Sequence, residues 1–332
     1  MPHYGFSFSK DREPTFERVL EVAVKAESLG FDSVWASDHL LYTFARYGED
    51  HEPIACLEPL TALAGLAAET ERVRLGTLVL CSPFRHPALL AKMAATIDRV
   101  SGGRLDLGVG AGWLEEEFTA FAIPFGSLAD RFGALEETLV VLAALSSGEP
   151  VSLKHGGVTL NDARWVPPPV QEPLPVWVGG KGGPRLLGLA ARYAAGWNAV
   201  WRMGPREYTT KVDDVRRACE RVGREPGTFR RSLGLYGVIG DDEGAARGAF
   251  ERGRAAFPGN AMRDETWESW CADTLSGAPA QVLDRVLAFE NLGVEELIWS
   301  PWVLPFALPE PEQLDVFAEQ VIEPLRSAAG AT

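Results

Sequence analysis

The chain has 332 residues, 46% of them hydrophobic and 23% charged, the balance of an ordinary globular protein rather than a disordered or fibrous one. Thirty-two Lys and Arg against 46 Asp and Glu leave a formal charge of −14. A field of that sign repels nucleic acid and anionic membranes, so any anionic ligand must be held by a few local cations and by backbone amides.

One rhythm runs through the chain: a short extended run, then an amphipathic helix. Residues 3–9 predict a strand. Phe16, Val19, Leu20, Ala23 and Ala26 then share one helical face, with Gly30 as the stop. Residues 33–38 predict a second strand, and Leu60, Leu63, Ala64 and Ala67 mark a second helix. Residues 74–81 predict a third strand followed by a helix near 87–100. Residues 104–110 predict a fourth, followed by a helix whose stripe is Phe132, Leu135, Leu139 and Leu142. Between 149 and 174, two short alternating runs around Gly156-Gly157 predict a surface hairpin, followed by the connector Pro167-Pro168-Pro169. Strands are then predicted at 175–179, 196–201, 231–239 and 296–300. Helices are predicted near 184–194 and 205–223, in a less regular section over 243–294, and around Leu314, Phe317, Val321 and Ile322. Eight such units in one unbroken run predict a closed parallel α/β barrel in a single domain, 1–332, with insertions at 113–131, 149–174 and 240–280.

Cys56, Cys81, Cys219 and Cys271 form no C-x-x-C pair, which predicts reduced thiols and a cytoplasmic protein. The histidines 3, 39, 51, 86 and 155 lack ligand spacing, so no metal is expected. No apolar run of membrane-spanning length and no secretory leader pattern stands out, and neither a membrane nor a nucleic acid is expected as partner.

A barrel carries its chemistry at the carboxyl ends of its strands. Asp38-His39 follows strand two there. His39 is either a proton carrier or a structural histidine satisfied by a helix cap. Gly179-Gly180-Lys181-Gly182-Gly183 leads into a helix at Pro184. It is either an anion site of amides and helix dipole, with Lys181 or Arg185 adding charge, or a tight βα turn. The run from Gly108 through Gly110, Ala111 and Gly112 fails the dinucleotide fingerprint because Trp113 stands at its last glycine position. It reads instead as a backbone floor for a flat ligand, or as a strand packed too closely for side chains. Trp201 and Trp302 also fall on this rim, as walls of an apolar pocket or as ordinary buried area.

Taken in order, several segments resemble the luciferase-like monooxygenase superfamily, and within it the F420-dependent oxidoreductases. They are Leu29 to Trp35 with Asp38-His39, Arg74 to Val79, Phe84 to Pro87, Ile97 to Arg104, Gly108 to Trp113 with Glu115-Glu116-Glu117-Phe118, Val178-Gly179-Gly180, and Ala191 to Asn198. The resemblance implies a (β/α)8 TIM barrel and a non-proline cis peptide at Leu78-Val79 behind a deazaflavin ring. It implies that Asp38 and His39 face the ring or substrate, that Ala111, Gly112 and Trp113 line the cofactor, and that Gly179 to Gly183 hold its phosphate. Trp113 stands where the family's sugar-phosphate dehydrogenases place an acidic glutamate, and Ala195 where many relatives have aspartate.

The expected function is hydride transfer between C5 of F420 and a small organic substrate, with His39 in the proton role. The alternatives are an FMN-dependent monooxygenase fed by a separate reductase, and a flavin-binding protein without turnover. A homodimer is the expected assembly if the barrel exterior pairs.

Overall fold

The computed structural model describes residues 2–8, 15–44, 53–257, 262–301 and 311–330. Its strands are β1 (His3–Phe8), β2 (Ser33–Ala36), β3 (Arg74–Thr77), β4 (Leu80–Cys81), β5 (Leu105–Gly110), β6 (Val151–His155), β7 (Val158–Ala163), β8 (Val176–Gly179), β9 (Gly196–Trp201), β10 (Arg230–Gly237) and β11 (Glu296–Pro301). All but β6 and β7 lie in one sheet of order β3-β2-β1-β11-β10-β9-β8-β5-β4, and β3 also pairs with β5. Every ladder in that sheet is parallel. Since β3 and β4 occupy one position, the sheet closes as an eight-position TIM barrel. Antiparallel β6 and β7 form the hairpin expected around Gly156-Gly157.

The helices begin where their sequence signals stand. Thr15 caps Phe16–Ser28 by accepting from the Arg18 N–H, and Ser127 forms a capping box with Asp130 at Leu128–Leu145. Proline occupies the first turn of Pro59–Glu69, Pro87–Val100, Pro184–Tyr193 and Pro205–Arg221, where its missing N–H costs nothing. Their apolar faces and the barrel exterior form one continuous core that includes Val22, Leu63, Leu90, Leu139, Leu187, Leu233 and Phe317. The irregular stretch 243–294 resolves into helices Glu243–Ala256, Trp267–Asp273 and Pro279–Asn291. Two expectations need correction. The second strand ends at Ala36 rather than at 38, and the third, expected as one run over 74–81, is broken after Thr77.

The amino-terminal end of the barrel carries a buried polar layer. The Ser33 hydroxyl donates to Glu296 Oε1 at 2.5 Å, and the Trp35 indole N–H donates to Ser33 at 2.8 Å and to Glu296 at 3.2 Å. Arg74 Nε meets Asp106 Oδ2 at 2.6 Å, and the Trp177 indole donates to Asp106 Oδ1 at 3.1 Å. Burial, with the Asp106 charge close by, pushes the Glu296 carboxyl up to about 7.

A raised carboxyl binds its proton more tightly in the folded chain than in the unfolded one. Stability therefore falls as pH rises from the ordinary value of 4.5 to about 7, then levels off. Glu296→Gln removes that loss. Melting curves at pH 5 and pH 8 are expected to show the variant gaining on the parent at the higher pH, by an amount on the order of 2 kcal/mol. Parallel pH profiles for the two proteins would contradict the assignment.

Candidate active site

The break in the third strand shapes the carboxyl rim. On β5, Leu75 and Gly76 pair with Leu105 and Asp106, whereas Leu80 and Cys81 pair with Val109 and Gly110. The offset between partners drops from 30 to 29, so one extra residue is fitted between Thr77 and Leu80 as a bulge. The Thr77 side chain bridges the interrupted ladder: its hydroxyl donates to the Gly108 carbonyl and accepts from the Gly108 N–H, both at 2.8 Å. Within the bulge the Leu78–Val79 peptide is cis, and a second non-proline cis peptide joins Val200 to Trp201.

The bulge turns Leu78 into the buried cluster of Trp35, Trp177 and Ile298 and places Val79 over the barrel mouth. Glycines make the room. A Cβ at Gly108 would stand 2.8 Å from a Val79 methyl, one at Gly110 2.7 Å, and one at Gly179 2.5 Å. The three glycines therefore surround one valine. Close packing on Val79 excludes side chains at these positions and leaves main chain facing the barrel mouth.

Above that floor lies a cavity of about 510 Å³. Asp38, His39, Leu78, Val79, Ala111, Gly112, Trp113, Gly179, Gly180, Lys181 and Trp201, all named from the sequence, line it. Gly182 and Gly183 do not. Gly182 is buried beneath Trp197, with its carbonyl accepting from Lys211 Nζ at 3.3 Å, and Gly183 caps the helix Pro184–Tyr193. Trp302 lies outside the described residues.

Asp38 and His39 are neighbours with different roles, because successive residues leaving a strand point in opposite directions. The Asp38 carboxylate accepts from Arg85 Nη1 at 2.5 Å and from Nη2 at 2.9 Å, and also from the Cys81 N–H at 2.8 Å. Arg85 in turn reaches Glu58 at 2.5 Å. Burial opposes the Arg85 charge, but Asp38 and Glu58 outweigh it and hold the guanidinium's pKa above its usual value. Burial raises the Asp38 carboxyl, against the pull of Arg85 and the Cys81 amide. A carboxylate tied at both oxygens is a strut between β2 and β4, not a group poised to exchange a proton.

His39 stands differently. Its Nδ1 lies 3.2 Å and 3.3 Å from the two Glu117 carboxylate oxygens, and Glu117 also accepts from the Leu40 N–H at 3.0 Å. Both side chains are buried. A carboxylate on Nδ1 favours a proton at that nitrogen and stabilises the imidazolium when a second proton arrives at Nε2. Tyr42 and Trp113 set the ring edgewise, with centroids at 5.3 Å and 5.9 Å. The pairing with Glu117 was not anticipated from the sequence. Three consecutive glutamates hide it, but Leu114 and Phe118, buried four residues apart, mark the inward face of this helical turn, and Glu117 shares it.

At the opposite wall, Gly180 adopts φ 145° and its N–H donates to the Asn198 carbonyl at 3.0 Å. The Gly180 carbonyl accepts from the Trp197 indole at 2.8 Å, so the turn entering Pro184–Tyr193 is fixed from both sides. Lys181 is exposed at the cavity edge, and Arg185 lies 4.9 Å from the Phe132 ring centre. Ser37 also lines the cavity, and its hydroxyl is buried and without a hydrogen-bond partner among the described residues.

The crowding around Val79 makes a prediction. Gly179→Ala is expected to destabilise the fold by about 1–3 kcal/mol through overpacking. Adding Val79→Ala to the same chain should recover part of that loss, although alone it opens a void. Melting measurements on the four proteins form the cycle, and strict additivity would show that the two positions do not press on each other.

A profile of the luciferase-like monooxygenase family matches residues 4–296. Over 195 residues the chain is 34% identical to an F420-dependent glucose-6-phosphate dehydrogenase of Amycolatopsis mediterranei, covering 58% of this chain and 56% of that one. Over 240 residues it is 32% identical to an F420-dependent hydroxymycolic acid dehydrogenase of Mycobacterium tuberculosis, covering 70% and 62%. The chain thus matches less than two thirds of the length of either relative. Among solved structures, an F420-dependent secondary alcohol dehydrogenase in complex with an F420–acetone adduct has the same fold, with a TM-score of 0.78 at 20% identity over 97% of this chain and 98% of the other. Since the profile runs from the first barrel strand to the start of the last, this chain belongs to the luciferase-like monooxygenase family.

Proposed function

We propose that the protein is an F420-dependent oxidoreductase acting on a small organic substrate. One observation carries the proposal: a flat backbone floor at Gly110–Gly112 and Gly179–Gly180 faces a buried His39–Glu117 pair across one cavity. The F420-dependent dehydrogenases among the relatives favour the deazaflavin over other flat cofactors.

The residues present fit such a group. Close packing on Val79 keeps Cβ atoms off the floor at Gly110 and Gly179, so a planar ring system can approach the main chain. Ser37, whose buried hydroxyl has no hydrogen-bond partner among the described residues, stands on the same cavity. Lys181 and the amino-terminal turn of Pro184–Tyr193 supply positive charge for the cofactor's phosphodiester at an otherwise acidic protein. When bound, the deazaflavin supplies a two-electron hydride donor or acceptor at its C5.

The chain's own residues supply orientation and the proton. His39 Nε2 exchanges a proton with the substrate oxygen as its carbon gains or loses hydride, and the Glu117 carboxylate stabilises the imidazolium that results. Asp38 acts at one remove. Through Arg85 and the Cys81 amide it locks the carboxyl end of β2 to the bulge, which sets His39 against the floor. Trp113 and Trp201 contribute aromatic surface to the cavity wall.

Equilibrium titration with F420 and with FMN, each oxidised and reduced, tests the proposal. F420 is expected to bind in the micromolar range or tighter and FMN more weakly. The F420 affinity should weaken as salt rises and fall several-fold in Lys181→Ala. A preference for reduced FMN would move the protein to oxygen-activating monooxygenase chemistry on the same fold. Binding of neither would remove the cofactor reading.

A further inference from the structure

Trp201 sits at the carboxyl end of β9, its ring on the cavity wall. Gly234, across the ladder on β10, leaves space for it: a Cβ there would stand 3.0 Å from the Trp201 ring. The indole is stacked in turn on Tyr236, which lines the same cavity. Tyr236 lies parallel to it at 5.3 Å and 10°, and Trp270 parallel to Tyr236 at 6.1 Å and 7°. The Trp270 indole donates to Ser276 Oγ at 2.8 Å. Arg202 places its guanidinium 4.9 Å from the Trp270 ring centre and is itself held by Glu265 at 2.7 Å and by Asp273 at 2.9 Å. Four consecutive flat groups, tied at the far end by two carboxylates, make Trp201 a wall that has little freedom to turn aside.

The charges around the cavity point the same way. Among the described residues that line it, Lys181 is the only lysine or arginine, while Asp38 and Glu117 are both present. Of the arginines next to lining residues in sequence, Arg202 is spent on Glu265 and Asp273, whereas Arg131 and Arg185 lie against the Phe125 and Phe132 rings; Arg85, further along, is spent on Asp38 and Glu58, and none of the four lines the cavity. If Lys181 serves the cofactor phosphate, no lysine or arginine remains among the described lining residues for a second anionic group. A substrate phosphate would meet a lining whose own carboxylates are already paired and which has no lysine or arginine left to neutralise a second anion.

We infer that the substrate is an uncharged organic molecule with a flat apolar face, packed against Trp201, and not a phosphorylated one; Trp201, backed by Tyr236 and Trp270, decides what is accepted. The inference deepens the proposed function and rests on it for the role of Lys181. It treats Trp201 as a recognition surface and leaves the proton chemistry with His39.

The test is binding rather than turnover. Acetophenone, a neutral flat probe, and glucose 6-phosphate, an anionic one, are titrated by calorimetry into the protein alone and into the protein saturated with F420. F420 binding is followed separately by its own fluorescence. Acetophenone is expected to bind and glucose 6-phosphate to bind more weakly or not at all. Trp201→Ala should weaken acetophenone about tenfold, the effect of losing one stacked ring, while Trp201→Phe keeps most of the affinity. Trp201→Leu, which retains apolar bulk without a flat face, is read in the same way should the alanine variant fail to fold. F420 affinity should stay within about threefold in these variants, a change of less than 1 kcal/mol. Tighter binding of glucose 6-phosphate, binding of neither probe, or unchanged acetophenone affinity in the Trp201 variants would overturn the inference. Loss of F420 binding in the parent protein would instead overturn the cofactor reading, and the titrations without cofactor would still decide the role of Trp201.

Discussion

The mouth of this barrel depends on a steric constraint at one side chain. Val79 stands in a bulge where three neighbouring positions, Gly108, Gly110 and Gly179, have no Cβ. Were any of them alanine, the methyl would meet Val79 below 3.0 Å. Packed interiors do not yield by that much without displacing backbone. The bulge and the glycines therefore require each other. Together they leave main chain where other barrel rims carry side chains, and they determine where the loop after β2 and the turn after β8 can stand.

Charge organises the same region. The protein is acidic overall, and two arginines near the cavity, Arg85 and Arg202, are drawn into ion pairs. Arg85 ties the β2 end to the bulge through Asp38, and Arg202 ties the β9 end to the helix Trp267–Asp273 and to Glu265. Desolvated pairs of this kind contribute little net stability, but removing one partner leaves an uncompensated buried charge. They act as fixed struts. The His39–Glu117 pair is built from the same kinds of side chain, but a histidine takes up and releases a proton near neutral pH and an arginine does not. That difference separates the two arginine pairs from the His39–Glu117 pair.

Much of the fold was legible because barrel units write themselves in local signals. Helices show a 3.6-residue apolar period, begin at Thr15, Pro59 or Pro184, and end at glycines such as Gly30. The bulge was not legible from spacing. Residues 74–81 alternate well enough to pass for one strand, and the interruption depends on glycines 30 to 100 residues away; only the family resemblance pointed to Leu78-Val79. Asp38 and His39 were found together because a strand end brings both to the rim. Their separate roles hinge on Arg85 and Glu117, 47 and 78 residues further on, which no local pattern pairs with them. Of the glycine turn after β8, Gly179, Gly180 and Lys181 line the cavity. Gly182 and Gly183 fall to the helix beyond it, because the chain must turn under Trp197 to enter Pro184–Tyr193.

The central claim is that the glycine-and-valine floor receives a flat cofactor and presents it to His39. Diffraction from crystals grown with F420 tests this most directly. The deazaflavin ring is expected to lie over Val79 and the Gly110–Gly112 backbone, with its phosphate toward Lys181 and the substrate side open to His39 and Trp201. A ring bound elsewhere on the barrel, or one lying over Val79 with His39 and Glu117 turned away from it, would contradict the claim.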